Sequence, residues 1–155
     1  MTTNNYRIIA QNRRARFEYF IETEYEAGLV LQGSEIKSIR NGKVNIQDSH
    51  IEFDKNGDLY LLNSYISPYK LATLFNHEPT RKRKLLLKKR EINNIISKIK
   101  LKGFTCIPLV LYINNKNLAK IKIAIAKGKK LYDKREAIKE RDFKREKAFL
   151  LKYNK

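Results

Sequence analysis

The sequence predicts a mainly β protein: a small antiparallel β-barrel, two to three short flanking helices and a basic C-terminal tail. Three observations lead there. Stretches of period-two hydrophobicity recur along the chain, as at residues 17–25 and 120–125. Two pairs of such stretches are joined by short Asn- and Asp-rich turns, the mark of hairpins. Helical spacing is confined to short segments, and no strand–helix–strand rhythm of a parallel sheet appears.

Taken in order, Phe17, Tyr19, Ile21, Thr23 and Tyr25 alternate with Glu18, Glu22, Glu24 and Glu26, predicting a half-buried strand over 16–26 that runs on through Leu29-Val30-Leu31. Gly33-Ser34 offers a helix N-cap with Glu35 in the first turn. Ile36 and Ile39 share a face and Gly42 supplies the stop, so a short helix is expected over 34–41. Residues 44–53 and 59–66 read as a hairpin across Asp54-Lys55-Asn56-Gly57.

A less regular stretch follows between Pro68 and Pro79. Ile92, Ile95, Ile96 and Ile99 then recur at helical spacing, predicting a helix over 88–100. Leu85-Leu86-Leu87 fits either a strand or an extension of that helix. A second hairpin is expected from 104–113, a turn at Asn114-Asn115-Lys116-Asn117, and a return strand with Ile121, Ile123 and Ile125 inside and Lys120 and Lys122 outside. Several antiparallel strands with few glycines favour an OB-like barrel, whose open face commonly takes nucleic acid.

Beyond Gly128 charge dominates. Leu131, Ile138, Phe143, Phe149, Leu150 and Leu151 make no continuous stripe that would dock on a barrel. Residues 1–130 are therefore expected to form the RNA-binding barrel, and 131–155 a tail, disordered when free and helical against RNA.

Composition narrows the function. Among 155 residues, 34 Lys and Arg face 16 Asp and Glu, a net charge of +18 that calls for a polyanionic partner. Hydrophobic residues make up 42 %, enough for a real core. Membrane binding is the weakest option, since no apolar run has spanning length and the first residues, Met1 to Tyr6, lack a signal-peptide pattern. A single cysteine, Cys106, agrees with a reducing cytoplasm and reads as a small buried hydrophobe. His50 and His77 have no partner at metal-ligand spacing, and no nucleophile elbow, phosphate loop or dinucleotide fingerprint occurs. Neither catalysis nor a cofactor or metal is expected.

Four basic clusters are the candidate RNA contacts: Arg13, Arg14 and Arg16; Arg81, Arg83 and Lys84 around Lys82; Lys88-Lys89-Arg90; and the segment holding Lys120, Lys122, Lys127, Lys129 and Lys130. Tyr19, Tyr25, Tyr112 and Tyr132 are placed to stack on bases, although core packing suits Tyr112 better. The glutamates of the first strand are expected to pair with Arg and Lys; for Glu26 the alternative is a hydrogen bond to a base amino group or ribose.

Several segments resemble the small protein B family, which binds tmRNA (SsrA). They are Asn12-Arg13-Arg14-Ala15-Arg16, Glu26 through Gln32 and on to Ser38 (including Lys37), Asn45-Ile46-Gln47-Asp48-Ser49, His77 through Leu87, and Ala126 through Glu136. The resemblance implies an OB-like barrel that binds the tRNA-like domain of tmRNA. It assigns RNA contacts to Asn12 and its neighbouring arginines, Glu26, Leu86 and Lys120. It places the tail in the ribosome's empty 16S rRNA decoding centre and mRNA channel, with Asp133, Lys134 and Arg135 as the critical triplet beside Tyr132. Two departures stand out: Lys88 replaces a histidine, and the 114–117 turn lacks a glycine. A general single-strand-binding module, a ribosomal protein and an RNA-processing enzyme remain the alternatives.

Overall fold

A computed structural model of the chain describes residues 6–72 and 74–153; the signal-peptide reading of Met1 to Asn5 and the last two tail residues lie outside them. The elements are β1 (Arg7–Gln11), α1 (Ala15–Glu18), β2 (Tyr19–Leu29), α2 (Gly33–Arg40), β3 (Val44–Asn45), β4 (His50–Phe53), β5 (Leu59–Leu62), β6 (Tyr65–Ile66), β7 (Arg83–Leu86), α3 (Lys89–Ile99), β8 (Phe104–Ile113), β9 (Ala119–Gly128) and α4 (Leu131–Tyr153). The fold is mainly a β-sheet with flanking helices. Among the described residues the larger sheet runs β1-β8-β4-β5-β7-β2-β9, with β9 pairing again to β8, and β3 pairs β6 separately.

The β8–β9 hairpin is the backbone of the core. Ile121, Ile123 and Ile125 are fully buried on one face, with Cys106, Leu111 and Ile113 beside them. Ile39 of α2 and Ile95 of α3 close over this cluster. Burial of each such side chain stabilises the fold by about 1.5–3 kcal/mol. The opposite face of the same hairpin is also covered: Ala124 and Ala126 pack with Ile107, Leu109 and Ala15 of α1. Two alanines leave room for α1 to lie close.

The chain departs from the sequence expectations at several points. Residues 15–18 form α1 rather than the start of a strand, because Ala15 is buried against β8 and β9. The strand begins at Tyr19, and a bulge between Ile21 and Thr23 resets its alternation. α2 is capped one step earlier than expected: the backbone N–H of Gln32 donates to Glu35 Oε1 at 2.7 Å. The first hairpin breaks into β3/β6 and β4/β5. Leu85 and Leu86 belong to β7, with Leu85 buried and Leu86 exposed. β1, which reading of the sequence missed, pairs with β8.

The two hairpin turns use the same device. Asp54 Oδ1 accepts from the N–H groups of Asn56 and Asp58, each at 3.0 Å. Asn114 Oδ1 accepts likewise from Lys116 and Leu118, at 3.0 and 2.9 Å. Gly57 (φ +79°) occupies the left-handed position in the first turn, and Asn117 (φ +64°) takes it in the second, which explains the missing glycine.

Candidate nucleic-acid interface

Antiparallel register assembles the interface on the outer face of the sheet. Lys120 lies opposite Tyr112 on β8 and Gly28 on β2, and Gly28 lies opposite Leu86 on β7. Tyr112, Lys120, Gly28 and Leu86 thus form one row across four strands. Lys122, opposite Val110 and Glu26, starts the next row. Side chains two apart on a strand share a face, so Lys120 with Lys122 and Glu24 with Glu26 stand on the same side.

Within this patch Glu26 is not paired as the sequence suggested. Its Oε2 accepts a hydrogen bond from the Tyr112 hydroxyl. Burial and then Glu26 itself push the phenol well above its ordinary value of 10.0. Tyr112 is buried, and Tyr6 packs on it with ring centroids 5.0 Å apart, so it serves as a support rather than a stacking platform.

Two recesses flank the row. One, of about 330 Å³, is lined by Leu29, Ile36, Arg40, Leu86, Asn117 and Lys120, an apolar floor with cationic walls. The other, of about 290 Å³, lies among Asn12, Arg13, Arg16, Glu24, Val110 and Lys122. Asn12 is held there by its Nδ2 donating to Pro108 O at 3.1 Å and its backbone N–H to Leu109 O at 2.8 Å. Arg16 Nη2 meets Glu24 Oε1 at 2.9 Å, a pair exposed enough to yield to a phosphate.

The structure therefore brings Asn12, Arg13, Arg16, Glu26, Leu86, Lys120 and Lys122 onto one face. Arg14 is exposed and borders, with Arg13, a further recess toward Ile138 and Arg141 of α4. Tyr19 packs into the α1 cluster, which limits its use for stacking. Lys127 is exposed near Phe104, Lys129 Nζ donates to Arg16 O at 3.1 Å and sits 4.9 Å from the Phe20 ring, and Lys130 is exposed. The 128–130 segment is thereby fastened beside α1.

Arg83 is a correction. It is wholly buried and cannot touch RNA; its Nε donates to Glu35 Oε2 at 2.6 Å, and its other N–H groups reach Ser64, Glu78 and Pro79. Arg81, half-buried, also spends its guanidinium on Glu35 and on Val30 O. Burial alone would raise the Glu35 carboxyl, but Arg81, the Gln32 N–H and Arg83 together hold it below its ordinary 4.5. Lys37 lies over the Tyr69 ring at 5.5 Å, and Lys84, on the same face of β7 as Leu86, lies 3.7 Å from Asp58.

α4 begins where Asp133 Oδ2 accepts the Lys130 N–H at 3.3 Å. Tyr132 and Arg135 are exposed and Asp133 and Lys134 half-buried.

Gly28, Arg40 and Asn117 were missed by sequence reading. For Gly28 a signal existed: a lone glycine inside a strand marks close approach. A Cβ there would lie 3.3 Å from Leu86 Cβ. Cys106 is fully buried, its thiol pushed up to about 12 by that burial. Among the described residues no cluster of three or more His, Cys, Asp or Glu could hold a metal, and no helix is long and apolar enough to cross a membrane.

A strongly basic sheet whose outer face presents lysines and an exposed leucine over shallow recesses defines a β-sheet protein of the RNA-binding class. The model of the SmpB protein family matches residues 9–153. An SsrA-binding protein of Wolbachia pipientis subsp. Culex pipiens is 55 % identical over 147 residues, 95 % of this chain and 98 % of that one. That of Ruegeria pomeroyi is 51 % identical over 150 residues, 97 % and 94 % of the two chains. A solved structure described as "tmRNA-SmpB: a journey to the center of the bacterial ribosome" superposes with a TM-score of 0.67 at 45 % identity, covering 83 % of this chain and 92 % of that one. The chain belongs to the SmpB protein family.

Proposed function

We propose that this chain binds the tRNA-like domain of tmRNA and delivers it to ribosomes stalled on mRNA without a stop codon, supporting trans-translation. The observation that carries the reading is the row of Lys120, Gly28 and Leu86, bordered by Lys122, Arg13 and Arg16. Lysines and arginines meet phosphates, while Leu86, half exposed, offers an apolar contact to a base or ribose. Relatives named SsrA-binding protein support the same partner.

In this reading the circuit of pairings β8-β4-β5-β7-β2-β9-β8 is an OB-like barrel, residues 1–130 are its RNA-binding body, and 131–155 are a tail that folds on the ribosome. The exposure of Leu131, Tyr132, Phe143, Leu150 and Leu151 along α4 supports a helix that meets its partner elsewhere. Tyr132, Asp133, Lys134 and Arg135 then read the vacant decoding centre, and the remainder lies in the mRNA channel. A basic helix can enter that channel only when mRNA is absent, which makes tail binding a test for a stalled ribosome. The role is cytoplasmic and non-catalytic.

Competition binding near physiological salt tests this, with the tRNA-like fragment of tmRNA against a charge-matched unrelated hairpin, for the intact chain and one ending at residue 130. The fragment is expected to win with both proteins. Equal affinity for the two RNAs would leave only a general RNA-binding module.

A further inference from the structure

We propose that the row Phe20–Lys127–Phe104, beside the end of α3, is a second RNA-contact surface. It takes a single-stranded segment by its phosphates and stacks one base on Phe20. This goes beyond the tmRNA reading, which places its partner elsewhere on the molecule. Lys120 and Lys127 stand an odd number of residues apart on β9 and so point to opposite faces. Seven residues of strand also separate them by about 23 Å.

Antiparallel register builds the row. Lys127 lies opposite Phe20 on β2 and opposite Phe104 on β8, so the three side chains share the side of the sheet that Ile125 faces. Ile125 is buried there, whereas Phe20 is half exposed and Lys127 exposed. The turn after α3 comes back against the row. The Phe104 N–H donates to Leu101 O at 3.3 Å, and a Cβ on Gly103 would lie 3.8 Å from Lys127 Cε.

Lysines converge on the two rings. Lys98 Nζ lies 5.1 Å and Lys127 Nζ 5.9 Å from the Phe104 centroid, and Lys129 Nζ lies 4.9 Å from that of Phe20. Lys100 and Lys102 follow in the adjoining turn, both exposed. The acid paired among them is Glu22, whose Oε1 accepts from Lys98 Nζ at 2.7 Å. A ring face attracts a cation without neutralising it, so the cluster calls for an anion. The row runs on into a recess of about 280 Å³ lined by Thr23, Tyr25, Asn94, Ser97, Lys98, Leu101 and Ile125, none of them acidic. Lys98 borders both. Charge beside an exposed ring and a partly apolar recess suits a nucleotide strand, in which phosphates alternate with flat bases. An acidic peptide would bring charge without the ring face, and free phosphate would use neither Phe20 nor the recess.

The test uses a uridine decamer with one central 2-aminopurine, whose fluorescence falls when it stacks. It is titrated into the full chain alone and into the chain saturated with the tRNA-like fragment of tmRNA. The decamer is expected to bind in both cases, with quenching. Phe20→Leu should lower decamer affinity about tenfold and abolish the quenching, while Phe20→Tyr keeps both. Lys98→Gln should weaken the decamer as well, and none of these variants should change affinity for the tRNA-like fragment. Displacement of the decamer by the fragment overturns the second surface, as does a Phe20→Leu chain that binds and quenches like the natural one. Decaglutamate bound more tightly than the decamer overturns it in favour of an acidic protein segment. A decamer that fails to bind while the fragment binds removes this surface and leaves the tmRNA reading standing. The reverse result removes the tmRNA reading and leaves the surface.

Discussion

Glu35 on α2 and Arg83 on β7 meet in the interior, Oε2 to Nε at 2.6 Å, with both side chains fully enclosed. Arg81 adds a second ion pair to the same carboxylate. This trio ties α2 to the strand that presents Leu86, and so fixes one wall of the RNA-facing recess. Removing one member strands a buried charge. Arg83→Met is expected to cost about 3–5 kcal/mol, read as a lower midpoint in urea unfolding.

The same carboxyl gives a pH signature. Its folded-state pKa is depressed below 4.5, so its stabilisation is fully present above pH 4.5 and is lost as pH falls through the lower folded value. Thermal melts from pH 7 downward should therefore fall more steeply below pH 4.5 in the natural chain than in Glu35→Gln. Parallel curves would mean that another group governs acid unfolding.

Gly28 makes room for Leu86. A Cβ at 28 would stand 3.3 Å from Leu86 Cβ and 3.7 Å from Lys120 Nζ, which disturbs both RNA-facing groups at once. Gly28→Val is expected to lose roughly tenfold in affinity for the tRNA-like fragment, about 1.4 kcal/mol. Electrophoretic mobility shift reads it, with circular dichroism to confirm that the fold survives.

Tyr112 restrains Glu26. Tyr112→Phe removes the donor and leaves a free carboxylate beside Lys122. Stability should fall by about 1 kcal/mol, and RNA binding should weaken because that lysine is now drawn to Glu26. Restoration of affinity in Tyr112→Phe/Glu26→Gln would confirm the route.

Asn117 bears a positive φ that a branched side chain resists. Asn117→Gly should be near neutral, while Asn117→Val should cost about 1–2 kcal/mol. Differential scanning calorimetry of the two variants separates them.

Much of this was legible in the sequence, and the remainder was hidden for identifiable reasons. The β8–β9 hairpin and α3 were readable because their isoleucines repeat at the local period of the element that holds them. α1 was not: four residues with no side-chain cap form a helix only because Ala15 is buried against β8 and β9. Arg83 looked like its neighbours Arg81, Lys82 and Lys84, since composition cannot tell a buried guanidinium from a solvated one. The alternation in β7 held the clue, for Arg83 and Leu85 point inward together while Lys84 and Leu86 point out. Lys120, Lys122 and Leu86 were each singled out from sequence, yet their meeting in adjacent rows depends on long-range register that no local pattern records.

The central claim is that tmRNA is recognised on the outer face of β2, β7 and β9. The most direct measurement is the salt dependence of binding by Lys120→Ala/Lys122→Ala, for the tRNA-like fragment and for a charge-matched hairpin. The account predicts that the salt slope falls by about 2 for the fragment, that fragment affinity drops at least about tenfold, and that hairpin affinity changes less. Equal losses for both RNAs, or no loss for the fragment, would contradict it.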